Sequence, residues 1–150
     1  MKAIDSFSGQ YHWLSNFSAH GFYISGVWFK TNEHFYQAMK TLDEKERLQI
    51  IECDSPQCAK KLGKTCTIRD NWDKIKIEIM WVGLRNKFDQ NPELKRYLLE
   101  TGDVELIEGN WWGDTFFGQC PIGNGHNHLG KLLMKLRKQY KNEQLLKRFF

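Results

Sequence analysis

Helix start signals recur along this chain from residue 31 onward, and they constrain its fold more than any other feature of the sequence. Small polar residues that cap the free N–H groups of a first helical turn precede each of several apolar, periodic segments. The predicted starts are Thr31 or Asn32, Asp43, Ser55-Pro56, Asp70 or Asn71, Asn91-Pro92 and Asn127. The spacing therefore predicts a mainly helical chain, with helices over 31–42, 44–53, 56–63, 71–89, 92–101 and from 127 onward.

Strand signals are fewer and shorter. Two short aromatic segments, 22–24 and 27–29, flank Ser25-Gly26, which predicts a β-hairpin with a tight turn. Residues 104–108 predict one further short strand. Residues 75–79 alternate as a strand would, but the length of the 71–89 segment favours a helix. The fold class is therefore predicted as α+β, mainly α-helical, with a small antiparallel β-hairpin near the N-terminus. The sequence has neither repeats nor a linker, which predicts one compact domain over 1–150.

Charge and composition limit the function. The net charge is +4 and the pI about 8.8, which suits an anionic ligand such as a nucleotide. No run of about 18 apolar residues suggests a membrane span, and no apolar signal segment opens the chain, so a cytoplasmic location is expected. The four cysteines form no Cys-x-x-Cys pair, and no His-x-x-x-His occurs. Neither a metal site nor a cofactor is predicted.

The stretch 31–40 has a polar side within its predicted helix. At 3.6 residues per turn, Glu33, Tyr36, Gln37 and Lys40 fall on one side, with Glu33 and Lys40 roughly 10 Å apart along the axis. That separation suits a small ligand held between two charged ends. The same pattern is typical of a solvated helix face, so both interpretations stay open here.

A second polar and aromatic segment is the glycine-rich loop from 109 to 125. Loops of this length inside a compact domain are commonly functional. With the strand end before it, the loop supplies two carboxylates and an amide beside aromatic rings: Glu108, Asn110, Trp111, Trp112, Asp114, Phe116 and Phe117. Tryptophan in polar company can stack on a planar ring, although it can also close the edge of a core.

These groups suggest a chemistry. Two carboxylates in different settings can divide acid and base work, as in glycosyl cleavage. A lysine in apolar or cation-rich surroundings loses its proton and becomes a nucleophile, and Lys40 is placed for that role. No Walker-type phosphate loop or Gly-x-Ser-x-Gly motif is present. The N–H groups of Gly123-Asn124-Gly125, before the last helix, could take a phosphate, or the segment could be a flexible connector.

Taken together, ordered motifs along residues 7–138 resemble the NADAR family, also called YbiA-like. They are Leu14-Ser15-Asn16-Phe17, Glu33-His34-x-Tyr36-Gln37-Ala38-x-Lys40, Arg69-Asp70-x-Trp72, Met80, Lys87-Phe88, Leu106-x-Glu108-x-Asn110, Asp114, Gly118 and Asn127-x-Leu129-Gly130-x-x-Leu133-Met134-x-x-Arg137. The number and order of these pieces make the resemblance specific.

The resemblance implies a mainly helical α+β domain that cleaves N-glycosidic bonds. It implies that Glu33 and Asp114 are catalytic carboxylates and that Lys40 is the amine that captures ribose C1′ as a Schiff base. Direct attack by an activated water is the alternative. Further residues are expected to bind substrate or support the pocket: Asn16, Phe17, Gln37, Arg69, Trp72, Glu108, Asn110, Trp112, Phe117 and Gly118. The family commonly has Trp-Gly where this chain has Phe117-Gly118, which keeps a stacking surface but removes the indole N–H donor.

The family activities suggest which substrates to expect. The leading expectation is removal of ADP-ribose from guanine in nucleic acid, to which the basic final segment adds some support. One alternative is hydrolysis of phosphorylated riboflavin-biosynthesis intermediates to ribose 5-phosphate and a pyrimidine. Another is a module that binds ADP-ribose or modified nucleic acid without cleaving it. The expected partners are therefore a phosphoribosyl or ADP-ribosyl small molecule and ADP-ribosylated nucleic acid, with no membrane.

Overall fold

The computed structural model describes residues 1–120 and 123–150. In chain order its elements are β1 (Ala3–Ile4), a 3-10 helix (Gly9–Leu14), β2 (Phe22–Ile24), β3 (Val27–Phe29), α1 (Asn32–Ala38), α2 (Glu44–Glu52), α3 (Pro56–Thr65), α4 (Trp72–Asp89), α5 (Pro92–Glu100), β4 (Glu105–Leu106) and α6 (His128–Lys147). The contacts group into a central unit, Asn16–Asn91, and a terminal unit made of Met1–Ser15 and Pro92–Phe150.

The β-hairpin of the central unit confirms the prediction from the sequence. β2 and β3 pair antiparallel with Phe22 opposite Phe29 and Ile24 opposite Val27. The turn between them needs positive φ at both of its residues, Ser25 at 51° and Gly26 at 80°. Phe22 and Phe29 are buried, so the hairpin contributes one apolar face to the core of this unit.

Helix α1 begins as predicted but ends early. The Thr31 side chain caps it by accepting from the N–H of His34 at 3.2 Å. The helix stops at Ala38 rather than near Leu42, because the carbonyl of Lys40 accepts from the N–H of Arg69 at 2.8 Å instead of continuing the helical ladder. Lys40 therefore lies in the turn after α1, and the prediction that it shares a regular helix face with Glu33 was wrong.

Helices α2 and α3 start where their caps predict, whereas α4 starts at Trp72 without a side-chain cap from Asn71. Asp43 caps α2, and Ser55 caps α3 with Pro56 in its first turn. Helix α3, however, continues to Thr65, so the predicted end at Gly63 was wrong. Gly63 is buried inside the helix, where a Cβ would lie 1.8 Å from Oε1 of Gln37. The glycine serves close approach of α3 to α1 and not a left-handed helix end.

The core of the central unit is formed where α1 packs against α2, α3, α4 and the hairpin. The ring of Phe35 on α1 contacts Phe29 edge to face, with centroids 5.0 Å apart. The buried apolar residues of this core are Phe22, Phe29, Phe35, Ala38, Ile50 and Ala59. Helix α1 is thus the central element of this unit, and all of its residues are buried.

The terminal unit is assembled from both ends of the chain. β1 pairs in parallel with β4, Ala3 opposite Glu105 and Ile4 opposite Leu106. The predicted strand over 104–108 is reduced to these two residues, and β1 was not predicted. Helix α6 packs on both β4 and α5. Its buried apolar residues are Leu129, Leu133, Leu136 and Tyr140.

The basic residues of α6 divide into two groups. Arg137 is buried and donates to Thr101 Oγ1 at 2.9 Å, while Lys141 pairs with Asp103 at 2.5 Å. Burial lowers the pKa of Arg137. The other cations of the segment are exposed: Lys131, Lys135, Lys138, Lys147 and Arg148. The exposed cations form the solvated basic face that the sequence suggested.

The structure confirms the predicted fold class, α+β and mainly helical with a small antiparallel hairpin. Across residues 1–120 and 123–150, none of the helices combines the length and apolarity that crossing a membrane requires. The assignment of residues 1–150 to one domain stays a prediction.

Candidate functional site

The carboxylate of Glu33 is buried on α1. Only 8 % of the residue is exposed, and its Oε1 accepts from Nε2 of Gln37 one turn later at 3.3 Å. The backbone N–H of Glu33 donates to the carbonyl of Asn16 at 3.1 Å. A carboxylate in this position is costly to bury without a function or a partner. Helix α1 thus brings Glu33 and Gln37, two residues predicted for the site, into direct contact.

Lys40 is half-buried in the turn that follows α1, where its surroundings disfavour the charged form. Burial lowers the pKa of Lys40 below its ordinary value, and the Glu33 carboxylate opposes that shift by favouring the ammonium form. The Lys40 ammonium lies over the ring of Tyr36, 5.8 Å from the centroid. An amine with a lowered pKa is a better nucleophile at neutral pH, which is the property predicted for this residue.

Two aromatic rings line the same part of the central unit. Tyr36 and Trp72 pack with ring centroids 5.0 Å apart, and both are largely buried, at 8 % and 6 % exposed. Trp72 was predicted as a pocket residue, whereas Tyr36 was seen only as part of a polar helix side. Since Lys40 lies over Tyr36, these rings form an apolar wall beside the amine.

Arg69 is placed near Lys40 but is engaged by the protein. Its backbone N–H donates to the carbonyl of Lys40, its Nη1 donates to the carbonyl of Met39 at 3.5 Å, and its Nε donates to Asn71 Oδ1 at 2.8 Å. These bonds hold the turn after α1. The contacts of Arg69 thus support the site, and binding of a substrate phosphate by it stays a prediction.

Asn16 and Phe17 lie beside the start of α1. Asn16 Oδ1 accepts from Nδ2 of Asn32 at 2.8 Å. No local sequence pattern indicates this contact, because the partners are 16 residues apart. Asn32 was considered only as a helix cap. Its own Oδ1 lies against Gly83 of α4, where a Cβ would be 1.9 Å away. The ammonium of Lys60 lies over the ring of Phe17, 6.0 Å from the ring centroid.

Asp114 and Asn110 organise the loop of the terminal unit. Asp114 Oδ1 accepts from the backbone N–H groups of Phe116 and Phe117, each at 3.1 Å. Asn110 is 2 % exposed, and its amide both donates to the carbonyl of Asp114 and accepts from the N–H of Asp114, each at 2.9 Å. The carboxylate of Asp114 therefore has a fixed orientation, and Asn110 supports the loop from inside.

The other predicted residues of this loop occupy different settings. Gly118 is buried where a Cβ would meet the carbonyl of Glu108 at 2.3 Å, so the loop requires glycine there. Glu108 is half-buried, and its backbone N–H donates to Asn127 Oδ1 at 2.9 Å. Phe117 packs edge to face on Phe116 with centroids 4.8 Å apart. The missing indole at Phe117 is thus replaced by an aromatic pair.

Trp111 and Trp112 stand out from the loop, at 86 % and 64 % exposed. They line a cavity of about 640 Å³ within the terminal unit, together with Asp5, Gly109 and Asn110. Exposed tryptophan rings beside a cavity can stack on a planar base. The binding role predicted for Trp112 is consistent with this exposure and stays a prediction.

Of the N–H groups predicted to take a phosphate, that of Gly123 donates to the carbonyl of Cys120 at 2.9 Å, and phosphate binding by the Gly123-Asn124-Gly125 segment stays a prediction. The N–H groups of Asn127, His128 and Leu129 donate to the carbonyls of Gly118, Phe116 and Phe117 at 3.0–3.1 Å. Asn127 precedes the helix as predicted, but its side chain does not cap it. With φ at 51°, Asn127 instead donates from Nδ2 to the carbonyl of Leu106 at 2.9 Å and accepts from Glu108 through Oδ1.

The predicted site residues thus fall into two sets. The central unit brings together Asn16, Phe17, Glu33, Gln37, Lys40, Arg69 and Trp72, and the terminal unit brings together Glu108, Asn110, Trp112, Asp114, Phe117 and Gly118. That the two sets face one substrate stays a prediction. Over the described residues, 1–120 and 123–150, no group of three or more metal-binding side chains is found.

Comparison with known protein families matches the same span of the chain. The model of the NADAR domain matches residues 5–141. The protein named N-glycosidase YbiA of Escherichia coli strain K12 is 40% identical over 136 residues, which cover 89% of this chain and 84% of that protein. N-glycosidase Npun_R5314 of Nostoc punctiforme is 37% identical over 137 residues, covering 88% and 87%.

Two further comparisons concern a longer relative and a solved structure. The riboflavin biosynthesis protein VVA0006 of Vibrio vulnificus is 34% identical over 128 residues, which cover 84% of this chain but 35% of that protein. The NMR structure of the E. coli protein YbiA superposes with a TM-score of 0.86 at 39% identity, covering 95% of this chain and 86% of that one. The similarity therefore extends through sequence and backbone alike.

Proposed function

This chain belongs to the NADAR domain family, and from that premise we propose that it removes ADP-ribose from guanine bases in nucleic acid. The chain is an N-glycosidase, a hydrolase acting on N-glycosyl bonds. The observation that carries the proposal is the setting of Lys40. Its amine is half-buried beside a buried carboxylate and an aromatic wall, and burial lowers its pKa.

We propose the following chemistry for this site. The neutral amine of Lys40 attacks ribose C1′, the C1′–N bond to the base breaks, and the base leaves with the bonding electrons. Asp114 or Glu33 gives the departing base a proton. Opening of the sugar ring leaves an imine between Lys40 and C1′, and water then adds to it, releasing the sugar and restoring the amine.

The choice of a nucleic-acid substrate is supported by features of the terminal unit. Exposed rings of Trp111 and Trp112 beside a cavity provide a surface on which a base can stack. The exposed cations of α6 suit the phosphate backbone of a nucleic acid. A cytoplasmic location belongs to the same proposal. So does a single domain over residues 1–150, which is supported by a family match that runs through both units.

A second candidate substrate has its own support. Relatives of 34% identity carry names from riboflavin biosynthesis, so phosphorylated intermediates that yield ribose 5-phosphate and a pyrimidine are the alternative. In both candidates a phosphate is attached through the 5′ carbon of the ribose. A module that binds ADP-ribose without cleaving it is the remaining alternative.

The deciding experiment offers both substrates to one preparation. The protein is incubated with an oligonucleotide ADP-ribosylated on guanine and, separately, with the riboflavin intermediates. The released product is measured in each case, ADP-ribose from the oligonucleotide and the pyrimidine from the riboflavin intermediates. We expect release of ADP-ribose from the oligonucleotide. Release only from the riboflavin intermediates would favour the second candidate, and binding without any release would favour the non-cleaving module.

The role of Lys40 has a test of its own. Borohydride added during turnover reduces an imine to a stable amine, so a covalent sugar adduct on Lys40 is expected in the mass spectrum. Lys40→Ala should abolish both the adduct and turnover. An active protein without any adduct would indicate direct attack by water instead, and full activity of Lys40→Ala would remove this residue from the chemistry.

A further inference from the structure

Helix α3 presents two lysines toward the part of the central unit that holds Lys40. Lys60 and Lys64 are four residues apart, so they lie on one face of α3, one turn from each other. Helix α3 packs on α1, with Gly63 against Gln37. After burial, which lowers the pKa of Lys40 most, the positive charges of both lysines lower it further. The three amines therefore lie within electrostatic reach of one another.

Such a cluster opposes folding unless something compensates it, because like charges repel. Helix α3 contains no acidic residue at all. The side chain of Lys64 is exposed, and it makes no ion pair with the residues that the structure describes. Lys60 is half-buried, with its ammonium over the ring of Phe17. The Glu33 carboxylate and the Cys66 thiol act on the pKa of Lys40 with the sign opposite to that of the two lysines.

Several of the donors that the sequence suggested for phosphate bond to the protein itself. The Nε and Nη1 atoms of Arg69 donate to Asn71 and to the carbonyl of Met39. The N–H of Gly123 donates to the carbonyl of Cys120. The site proposed for Lys40 nevertheless acts on a sugar that carries phosphate. A separate source of positive charge near Lys40 is therefore needed, and α3 supplies one.

We propose that Lys60 and Lys64 bind the phosphate attached to the 5′ carbon of the ribose whose C1′ reacts with Lys40. The inference rests on the proposed function and adds to it the residues that recognise the sugar phosphate. The 5′ phosphate is joined to C1′ by a short path through the ring oxygen, so cations adjacent to Lys40 are suitably placed. Lysine ammonium groups bind phosphate as point charges and need no fixed fork geometry. Both candidate substrates have this phosphate, so the assignment holds for either.

The site also explains how Lys40 could stay reactive with substrate bound. A phosphate near Lys40 would by itself favour the ammonium form and so suppress the nucleophile. Two lysines on α3 offset that negative charge. They therefore serve both binding of the phosphate and the low proton affinity of the amine.

The test measures binding without requiring turnover. Lys60→Gln, Lys64→Gln and the double variant are compared with Lys61→Gln, an exposed lysine on the same helix that undergoes the same change of charge. The probes are ribose 5-phosphate and ribose, titrated calorimetrically at one ionic strength, with thermal unfolding as a folding control. We expect each single variant to weaken ribose 5-phosphate binding by about tenfold. Ribose binding should not change, and Lys61→Gln should stay within about twofold of the parent.

The outcomes separate this inference from the proposed function. If neither substrate is cleaved but Lys60→Gln and Lys64→Gln still lose affinity for ribose 5-phosphate, the phosphate site stands and the reaction is wrong. If turnover is confirmed, the same variants should raise KM while Lys64→Arg restores it. Unchanged affinity in Lys60→Gln and Lys64→Gln, or an equal loss in Lys61→Gln, overturns the inference. A shifted pH profile with unchanged affinity also overturns it, since the lysines would then act only through Lys40.

Discussion

Replacement of Gly63 by alanine tests how closely α3 must approach α1 to hold the candidate catalytic carboxylate. A Cβ at this position would lie 1.8 Å from Oε1 and 2.7 Å from Cδ of Gln37. A carbon and an oxygen in ordinary contact are roughly 3.3 Å apart, so the amide must move by about 1.5 Å. Gln37 is 5 % exposed and has little room to move. Its bond to Glu33, already 3.3 Å long, would be lost.

The expected change in the free energy of unfolding is the sum of favourable and unfavourable contributions. Overpacking of a buried contact costs about 1–3 kcal/mol, and loss of the hydrogen bond about 1 kcal/mol. Alanine gains up to about 1 kcal/mol over glycine inside a helix. Gly63→Ala should therefore lower the free energy of unfolding by about 1–3 kcal/mol, with a fall of Tm by about 2–4 °C for each kcal/mol. Turnover should fall as well, because Glu33 loses the amide that orients it.

The assay is a double-mutant cycle by urea and thermal unfolding. In a Gln37→Ala background the amide is gone, and only the Cβ of Gln37, 3.3 Å away, remains close. Gly63→Ala should there be neutral or stabilising by up to about 1 kcal/mol. The coupling energy between the two positions is therefore expected at about 2–4 kcal/mol. Equal effects of Gly63→Ala in both backgrounds would refute the contact as the reason for the glycine.

Three further outcomes are expected. Burial lowers the pKa of Lys40, so the charged form of this side chain destabilises the folded chain. Lys40→Met should therefore abolish turnover yet raise Tm at pH 7. This gain in Tm should fade as pH rises toward 10.5, where the lysine is neutral in both states. Asp114→Asn keeps the Oδ1 acceptor of the loop. Its Tm should stay near that of the parent while kcat falls by at least about a hundredfold, and undiminished kcat would remove Asp114 from the reaction. Asn127→Gly should lose about 2 kcal/mol in urea unfolding, because it leaves Glu108 N–H and Leu106 C=O unbonded. Asn127→Ala should lose about 1 kcal/mol more, since φ is 51° there, and equal losses would exclude backbone strain.

The sequence predicted those parts of the fold that local chemistry determines. Asp43 and Ser55 bond to N–H groups three residues later, and Pro56 is suited to a first helical turn, so both helix starts were identified from neighbouring residues alone. The hairpin turn at Ser25-Gly26 is equally local. The type and order of most elements could therefore be predicted before any contact between them was known.

What the sequence could not show depends on partners far along the chain. Gly63 has the appearance of a helix end, and only the position of Gln37 on another helix reveals that it permits close packing. The end of α1 depends on a bond between Lys40 and Arg69. The two-residue strand β1 has no period to detect. In the site, Glu33, Lys40 and Asp114 were candidates from spacing and residue type, and family resemblance assigned their roles. The lysines of α3 carried only a four-residue spacing typical of any helix surface.

The pairing of Ala3 and Ile4 with Glu105 and Leu106 has a consequence for the order in which the chain folds. The terminal unit closes a loop of about one hundred residues, whereas the central unit is one continuous segment with its own core. During synthesis, residues 16–91 can reach their compact form before the C-terminal partner of β1 has left the ribosome. The first fifteen residues must wait for that partner. Pulsed hydrogen exchange should therefore protect the amides of α1 before that of Ile107, which bonds to the carbonyl of Ile4.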